Sequence, residues 1–265
     1  MPDVDLTKPT TIDPNETLTQ AGYQEEAPPT YSMPQKAVAE FVGTFALIFI
    51  GAGSIVAATA AHGGQGGAGL VTIAIAHGLA IAVMVSAVGH ISGGHLNPAV
   101  TVAAAAVRKI APSEAVLYIG AQLAGAVAGA AVLRGAVPES LWRQVNLGTP
   151  GLGGGVSAAQ AVVIEAVLTF LLVWVIFATA VDPRGAFGKV AGLAIGFVVL
   201  MDIMAGGPFT GGAMNPARFF GPALIAGHWA DGWVYLVGPL AGGTLAAVVY
   251  ETVLLPRHQA AAGAA

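Results

Sequence analysis

Residues 92–100 read Ser92-Gly93-Gly94-His95-Leu96-Asn97-Pro98-Ala99-Val100, and the pattern returns as Thr210-Gly211-Gly212-Ala213-Met214-Asn215-Pro216-Ala217-Arg218. Proline fits the first turn of a helix, where its missing N–H would have had no partner. Each Asn then stands at the N-cap, where its side-chain oxygen accepts from first-turn N–H groups. Both stretches therefore predict irregular, glycine-rich backbone that turns abruptly into helix.

The surrounding composition is that of a chain in lipid. Of 265 residues, 55% are apolar and only 9% charged, against roughly a quarter charged in a soluble domain. Residues 41–107 contain no Asp, Glu, Lys or Arg, while the first 36 residues hold eight of them. With no Cys there is no disulfide framework, thiolate metal site or cysteine nucleophile, and the net charge of -4 gives no footprint for nucleic acid. No His pair has ligand spacing with a supporting carboxylate, so neither a metal nor a cofactor is expected. The first 35 residues are polar and acidic, which reads as a disordered tail and not as an export signal. Within it, Pro28-Pro29-Thr30-Tyr31 is a stiff spacer or a short partner-binding motif.

Six helical spans are predicted at residues 37–60, 68–90, 112–133, 158–180, 189–206 and 232–254, each near the ~20 residues that cross a hydrocarbon core. Small pairs four apart, Gly125 and Gly129, Gly192 and Gly196, Gly238 and Gly242, predict close helix contacts. With these spans, Lys8, Lys36, Arg108, Lys109, Arg184, Lys189 and Arg257 fall on one side and Arg134, Arg143 and Arg218 on the other. The excess places both termini in the cytoplasm, and the expected setting is the plasma (cell inner) membrane.

The stretches 91–107 and 207–225 are apolar but would spoil that sidedness if they crossed, so they dip in and return. Eleven helical residues from each Asn give about 16 Å, roughly half the bilayer. Irregular backbone is tolerated at that depth only where it lines a polar cavity. The likeness between the two extends outward: Glu40-x-x-x-Thr44-Phe45 recurs as Glu165-x-x-x-Thr169-Phe170, and Leu123-Ala124-Gly125 as Leu240-Ala241-Gly242. Three spans per repeat make the second repeat inverted, so the two Asn-Pro starts meet near the midplane.

Two Asn-Pro-Ala boxes in inverted three-span repeats, the second followed by Arg218, resemble the aquaporin (major intrinsic protein) family over about residues 36–255. The expected fold is an all-α membrane protein with six transmembrane helices and two re-entrant half-helices. Its parts are an acidic tail at 1–35, a channel domain at 36–255 with repeats at 36–133 and 158–254, and a second tail at 256–265. The boxes are Asn97, Pro98, Ala99 and Asn215, Pro216, Ala217. Their Asn amides are free to donate to a passing water, whose hydrogens turn toward the carbonyls of Gly93, Gly94 and His95 on one side and Gly211, Gly212 and Ala213 on the other. Two helix N-termini aimed at one point also oppose cations and protons.

The resemblance further implies that Glu40 and Glu165 support the re-entrant loops, proton relay being the alternative, and that four subunits assemble, each with its own pore. The family's filter positions, matched by spacing from the two Asn residues, fall on His77, Ile203, Gly212 and Arg218, with His77 and Arg218 facing each other. This set is similar to that of plant tonoplast intrinsic proteins. Phe219 stands where glycerol-conducting relatives carry Asp. Pro150 stands where ammonia-conducting ones carry a further His. The implied function is a passive water channel. Ammonia, hydrogen peroxide or glycerol are alternative solutes, and a secondary transporter is the alternative of another class. That last reading needs an ionisable lumen site, for which only Asp202 is available; it reads first as a packed acid. No nucleophile and base pair up, so the chain is not expected to be an enzyme.

Overall fold

A computed structural model describes residues 30–61, 69–185 and 190–255. The expected tails, apart from residues 30–35, lie outside the described residues, as do Pro28, Pro29, Lys8, His62, Lys189 and Arg257. In chain order the helices are α1 (Met33–Ala61), α2 (Leu70–Ser92), α3 (Pro98–Ala106), α4 (Pro112–Ala136), α5 (Glu139–Trp142), α6 (Ala158–Ile176), α7 (Ala191–Thr210), α8 (Pro216–Ala226) and α9 (Val234–Val249). Wider turns continue α6 through Phe177–Val181 and α9 through Tyr250–Leu254. Six of these elements are long and apolar enough to cross a membrane, and α3 and α8 are the half-helices.

Several boundaries differ from the sequence expectation for local reasons. Pro208 does not end α7, which runs on to Thr210 and stops where Gly211 takes a left-handed φ of 82° and donates to Gly207 O. In the same register α2 ends at Ser92, with Gly93 at φ 89°. The first half-helix has nine residues, not eleven, because Arg108 turns the chain at φ 62° before Pro112 opens α4. The short α5 and the turn Arg143–Gly148 were not foreseen.

Close approach of backbones holds the bundle together. A Cβ on Gly129 would lie 2.7 Å from Phe45 O in α1, and one on Gly78 2.7 Å from Gly196 O in α7. Gly242 meets Ala166 O of α6 closer still. All three predicted glycine pairs are contact points, α4 on α1, α7 on α2 and α9 on α6. The half-helices dock across the repeats, α3 against α9 and α8 against α4, so neither repeat completes its own interior.

Candidate functional site: a lumen between two half-helices

The two re-entrant turns have nearly the same backbone. Gly94 and Gly212 sit at φ 62° and 58°, Leu96 and Met214 at 51° and 53°, and Asn97 and Asn215 are extended at −157° and −152°. Left-handed φ is unfavourable for Leu and Met, and it persists because the backbone N–H groups of both residues are bound by buried carboxylates. The fully buried Glu40 carboxylate accepts from His95 N at 2.9 Å, Leu96 N at 2.6 Å, Ser92 Oγ at 2.7 Å and Gln122 Nε2 at 2.7 Å. Glu165, equally buried, accepts from Ala213 N at 2.9 Å, Met214 N at 2.7 Å and Thr210 Oγ1 at 2.7 Å. Tyr118 and Tyr235 hydroxyls donate to Ser92 O and Thr210 O at 2.8 and 2.9 Å. The donors that both acids bind belong to the re-entrant turns and to the helices beside them.

The Asn side chains cap their helices, Asn97 Oδ1 accepting from Ala99 N and Asn215 Oδ1 from Ala217 N and Arg218 N. The amide nitrogens are not wholly free. Asn97 Nδ2 donates to Met214 O and Asn215 Nδ2 to Leu96 O, each at 2.9 Å. One N–H of each amide therefore braces the opposite repeat, and the second is left for the lumen. This exchange requires the two turns to be face to face, so only the inverted pairing could have announced it.

The lumen is narrow, about 40 Å³, room for a short file of waters. Asn97, Asn215, Gly94, His95, Gly212 and Ala213 line it. Ile81, Val85, Ile195 and Val199 form the apolar wall. Gly93 and Gly211, expected among the carbonyl-lining residues, are not among the residues around this volume; their N–H groups cap α2 and α7 by donating to Gly89 O and Gly207 O. Met214 lines it instead.

At one end lie all four expected filter residues, His77, Ile203, Gly212 and Arg218. His77 and Arg218 do not face each other, however. Arg218 Nε donates to His77 Nε2 at 3.1 Å, and Arg218 Nη1 to Gly148 O at 2.8 Å. Since Nε2 accepts, Nδ1 carries the ring proton and donates to Ile73 O at 2.9 Å. The pair makes one polar wall, with Arg218 Nη2 unbound to any described residue.

Two supports of this wall went unread in the sequence. Gly51 is where the His77 ring rests, a Cβ there falling 2.6 Å from Cδ2 and 2.7 Å from Nε2. Gly148, at φ 72°, packs on Ala52 with a Cβ position 2.8 Å from Ala52 O. One turn of α1 therefore positions both partners of Arg218. Pro150 packs on Gly211 outside the lumen. Phe219 stacks on Tyr235 with ring centroids 4.7 Å apart, also outside the lumen. Asp202 is 1% exposed, absent from the lumen lining, and its Oδ2 has no hydrogen-bond partner among the described residues. The transporter reading loses its one candidate coupling group.

Inverted repeats enclosing a narrow lumen, with two helix N-termini meeting inside it, define a membrane channel for small neutral molecules. The chain belongs to the major intrinsic protein family, whose model matches residues 29–250. It is 48% identical to aquaporin TIP4-4 of Zea mays over 82% of this chain and 86% of that one. To probable aquaporin TIP3-2 of Arabidopsis thaliana it is 45% identical, over 83% of each. Among solved structures it is similar to the aquaglyceroporin from Plasmodium falciparum, with TM-score 0.73 and 26% identity over 84% of this chain and 97% of that one. It is a multi-pass integral membrane protein and a water channel, not an enzyme.

Proposed function

We propose that water crosses this channel in single file and reorients at the paired Asn97 and Asn215 amides. The observation that supports this reading is the mutual brace of those amides, which leaves one N–H on each for a water oxygen. A water bound there has its hydrogens turned outward, toward the carbonyl stripes, and cannot pass a proton along the file. The N-termini of α3 and α8, each worth roughly half a positive charge, oppose cations at the same place. The His77–Arg218 wall, with Ile203 and Gly212 beside it, sets the width at the filter end.

Homotetrameric assembly remains part of this reading. It rests on the family resemblance and on exposed apolar side chains such as Val42, Leu79, Val167 and Phe197 on α1, α2, α6 and α7, which suit a neighbouring subunit or lipid. The sidedness of basic residues orients both termini to the cytoplasm without choosing a membrane. The TIP-type relatives draw that choice away from the plasma membrane and toward the tonoplast, the vacuolar membrane.

Stopped-flow light scattering of proteoliposomes under an osmotic step tests the water path. Rapid shrinkage without acidification of an entrapped pH dye is expected. A shrinkage rate equal to that of empty vesicles would remove the reading.

A further inference from the structure

Outside the lumen, a groove of about 570 Å³ opens between α4, α8 and α9. Its inner end is formed by Pro98 and Pro216, the first residues of the two half-helices, and its outer end by Trp229, Asp231 and Trp233. Of α8 it touches Pro216, Phe219 and Phe220, and Trp229, Asp231 and Trp233 of the connection to α9 complete it. The walls between are apolar, and Phe219 and Phe220 each set a ring edge against Trp229, with centroids 6.0 and 5.7 Å apart. Trp229 and Trp233 are 47% and 53% exposed.

Among the residues that line the outer end, the charge has one sign. Asp231 is exposed, turned outward by a left-handed φ of 51°, and its carboxylate has no hydrogen bond or ion pair among the described residues. No Lys or Arg lines the groove. Aromatic faces and a carboxylate both attract an ammonium group, whereas an anionic headgroup would find no counterion among the lining residues, Arg134 of α4 being turned to Ile225 O and the Trp142 ring. The equivalent place in the first repeat has none of this. There Thr101, Val102 and Val116 stand for Phe219, Phe220 and Trp233, and Glu114 is already bound to Lys36 at 2.7 Å.

We infer that this groove is a binding site for a phospholipid whose headgroup ends in an ammonium group, with one acyl chain lying between α4 and α9 and the cation held by Asp231, Trp229 and Trp233. Because only the second repeat combines the aromatic residues with an unpaired acid, the site serves one leaflet, that of the α8–α9 connection. An ordinary belt of interfacial tryptophans has no such headgroup preference.

Tryptophan fluorescence of the full chain in proteoliposomes tests this, with brominated phosphatidylcholine and brominated phosphatidylglycerol as quenchers. The expected result is that phosphatidylcholine quenches at about three- to fivefold lower mole fraction than phosphatidylglycerol, the scale of one cation–π and charge contact. Asp231→Asn should bring that ratio to about one and leave water permeability unchanged, which shows the fold intact. Glu139→Gln removes an exposed carboxylate outside the groove and should leave the ratio as in the wild type. A wild-type ratio of one, or a ratio that Asp231→Asn does not move, overturns the inference. So does the absence of quenching by either lipid, which would mean that a second copy of the chain covers the groove. A ratio lowered equally by Glu139→Gln reduces the effect to general surface charge and also overturns it.

Discussion

The first re-entrant turn, Ser92–Asn97, and the second, Thr210–Asn215, have the same backbone yet differ in almost every group that selects. What holds a turn in place is duplicated: a buried Glu, a hydroxyl, a Tyr, two left-handed glycines and a capping Asn. What touches the solute is single: His95 has Ala213 as its counterpart, and Arg218 has Val100. Inversion brings these single groups to opposite ends of one lumen. A symmetric frame can therefore carry an asymmetric path, and substitutions should separate into those that damage the frame and those that change only what passes.

The largest effect is expected at the frame. Glu165→Ala leaves two backbone N–H groups without an acceptor in a membrane interior, at ~1–3 kcal/mol each. Glu40→Ala does the same in the first repeat, but Gln122 is beside it with a buried, unpartnered Oε1 that can turn toward the freed amides. The counterpart of Gln122 is Pro239, which offers nothing. Thermal unfolding in detergent should therefore show Glu165→Ala as the more damaging of the two, with little folded protein recovered. Equal losses would break the proposed difference and leave Gln122 as filler.

Gly51→Ala is the next largest, and it joins frame to filter. The new methyl cannot coexist with the His77 ring at 2.6 Å, so the ring must leave Arg218. Overpacking of this kind costs ~1–3 kcal/mol, and the expected readout is loss of most of the water permeability from a protein that still folds. Permeability at the wild-type level would show that the ring shifts without disturbing Arg218. His77→Ala acts in the opposite sense: it removes the ring and frees Arg218 Nε, so urea and glycerol should enter proteoliposomes faster while the fold persists. Unchanged solute entry would mean that His77 is not a wall of the filter.

Much of this arrangement was legible in the sequence because it is written in residue types that do one thing at a helix start. Asn-Pro fixes a cap and a first turn, and its repetition with Glu40 and Glu165 upstream located the inversion. The filter positions came from the family resemblance, carried onto Ile203 and Gly212 by their spacing from Asn215. What was not legible depends on contacts between segments far apart in sequence. The exchange of Asn amides and Leu96 and Met214 carbonyls needs both repeats in place. The side-by-side His77 and Arg218 depend on Gly148 O, which comes from an irregular connection whose path no periodicity predicts.

The two mouths of the channel extend the comparison to charge, and here the effect is smallest. Beside the first repeat's entrance, two ion pairs join elements far apart, Lys36 to Glu114 at 2.7 Å and Lys109 to Glu251 at 2.8 Å, and a third, Arg184 to Asp182 at 2.6 Å, lies within one connection. At the other mouth Arg143 and Glu139 pair within one helical turn. Arg184 also donates to Leu254 O, and Tyr250 OH to Asp182, so this pair ties the α6–α7 connection to the C-terminal end of α9. Hydrogen bonds from the Arg184 side chain and backbone hold the Asp182 carboxyl well below the usual carboxylate range. A carboxyl lowered on folding stabilises above its unfolded value, near 3.9, and that contribution fades progressively as pH falls from there toward the folded one. Asp182→Asn should lower the melting temperature slightly at pH 7, and the gap to wild type should close in the acid limb below about pH 4. Melting curves collected from pH 7 to pH 3 check this. A gap that stays constant to pH 3 would assign the effect to packing against Tyr250 and remove the ionic tie from the account of this mouth.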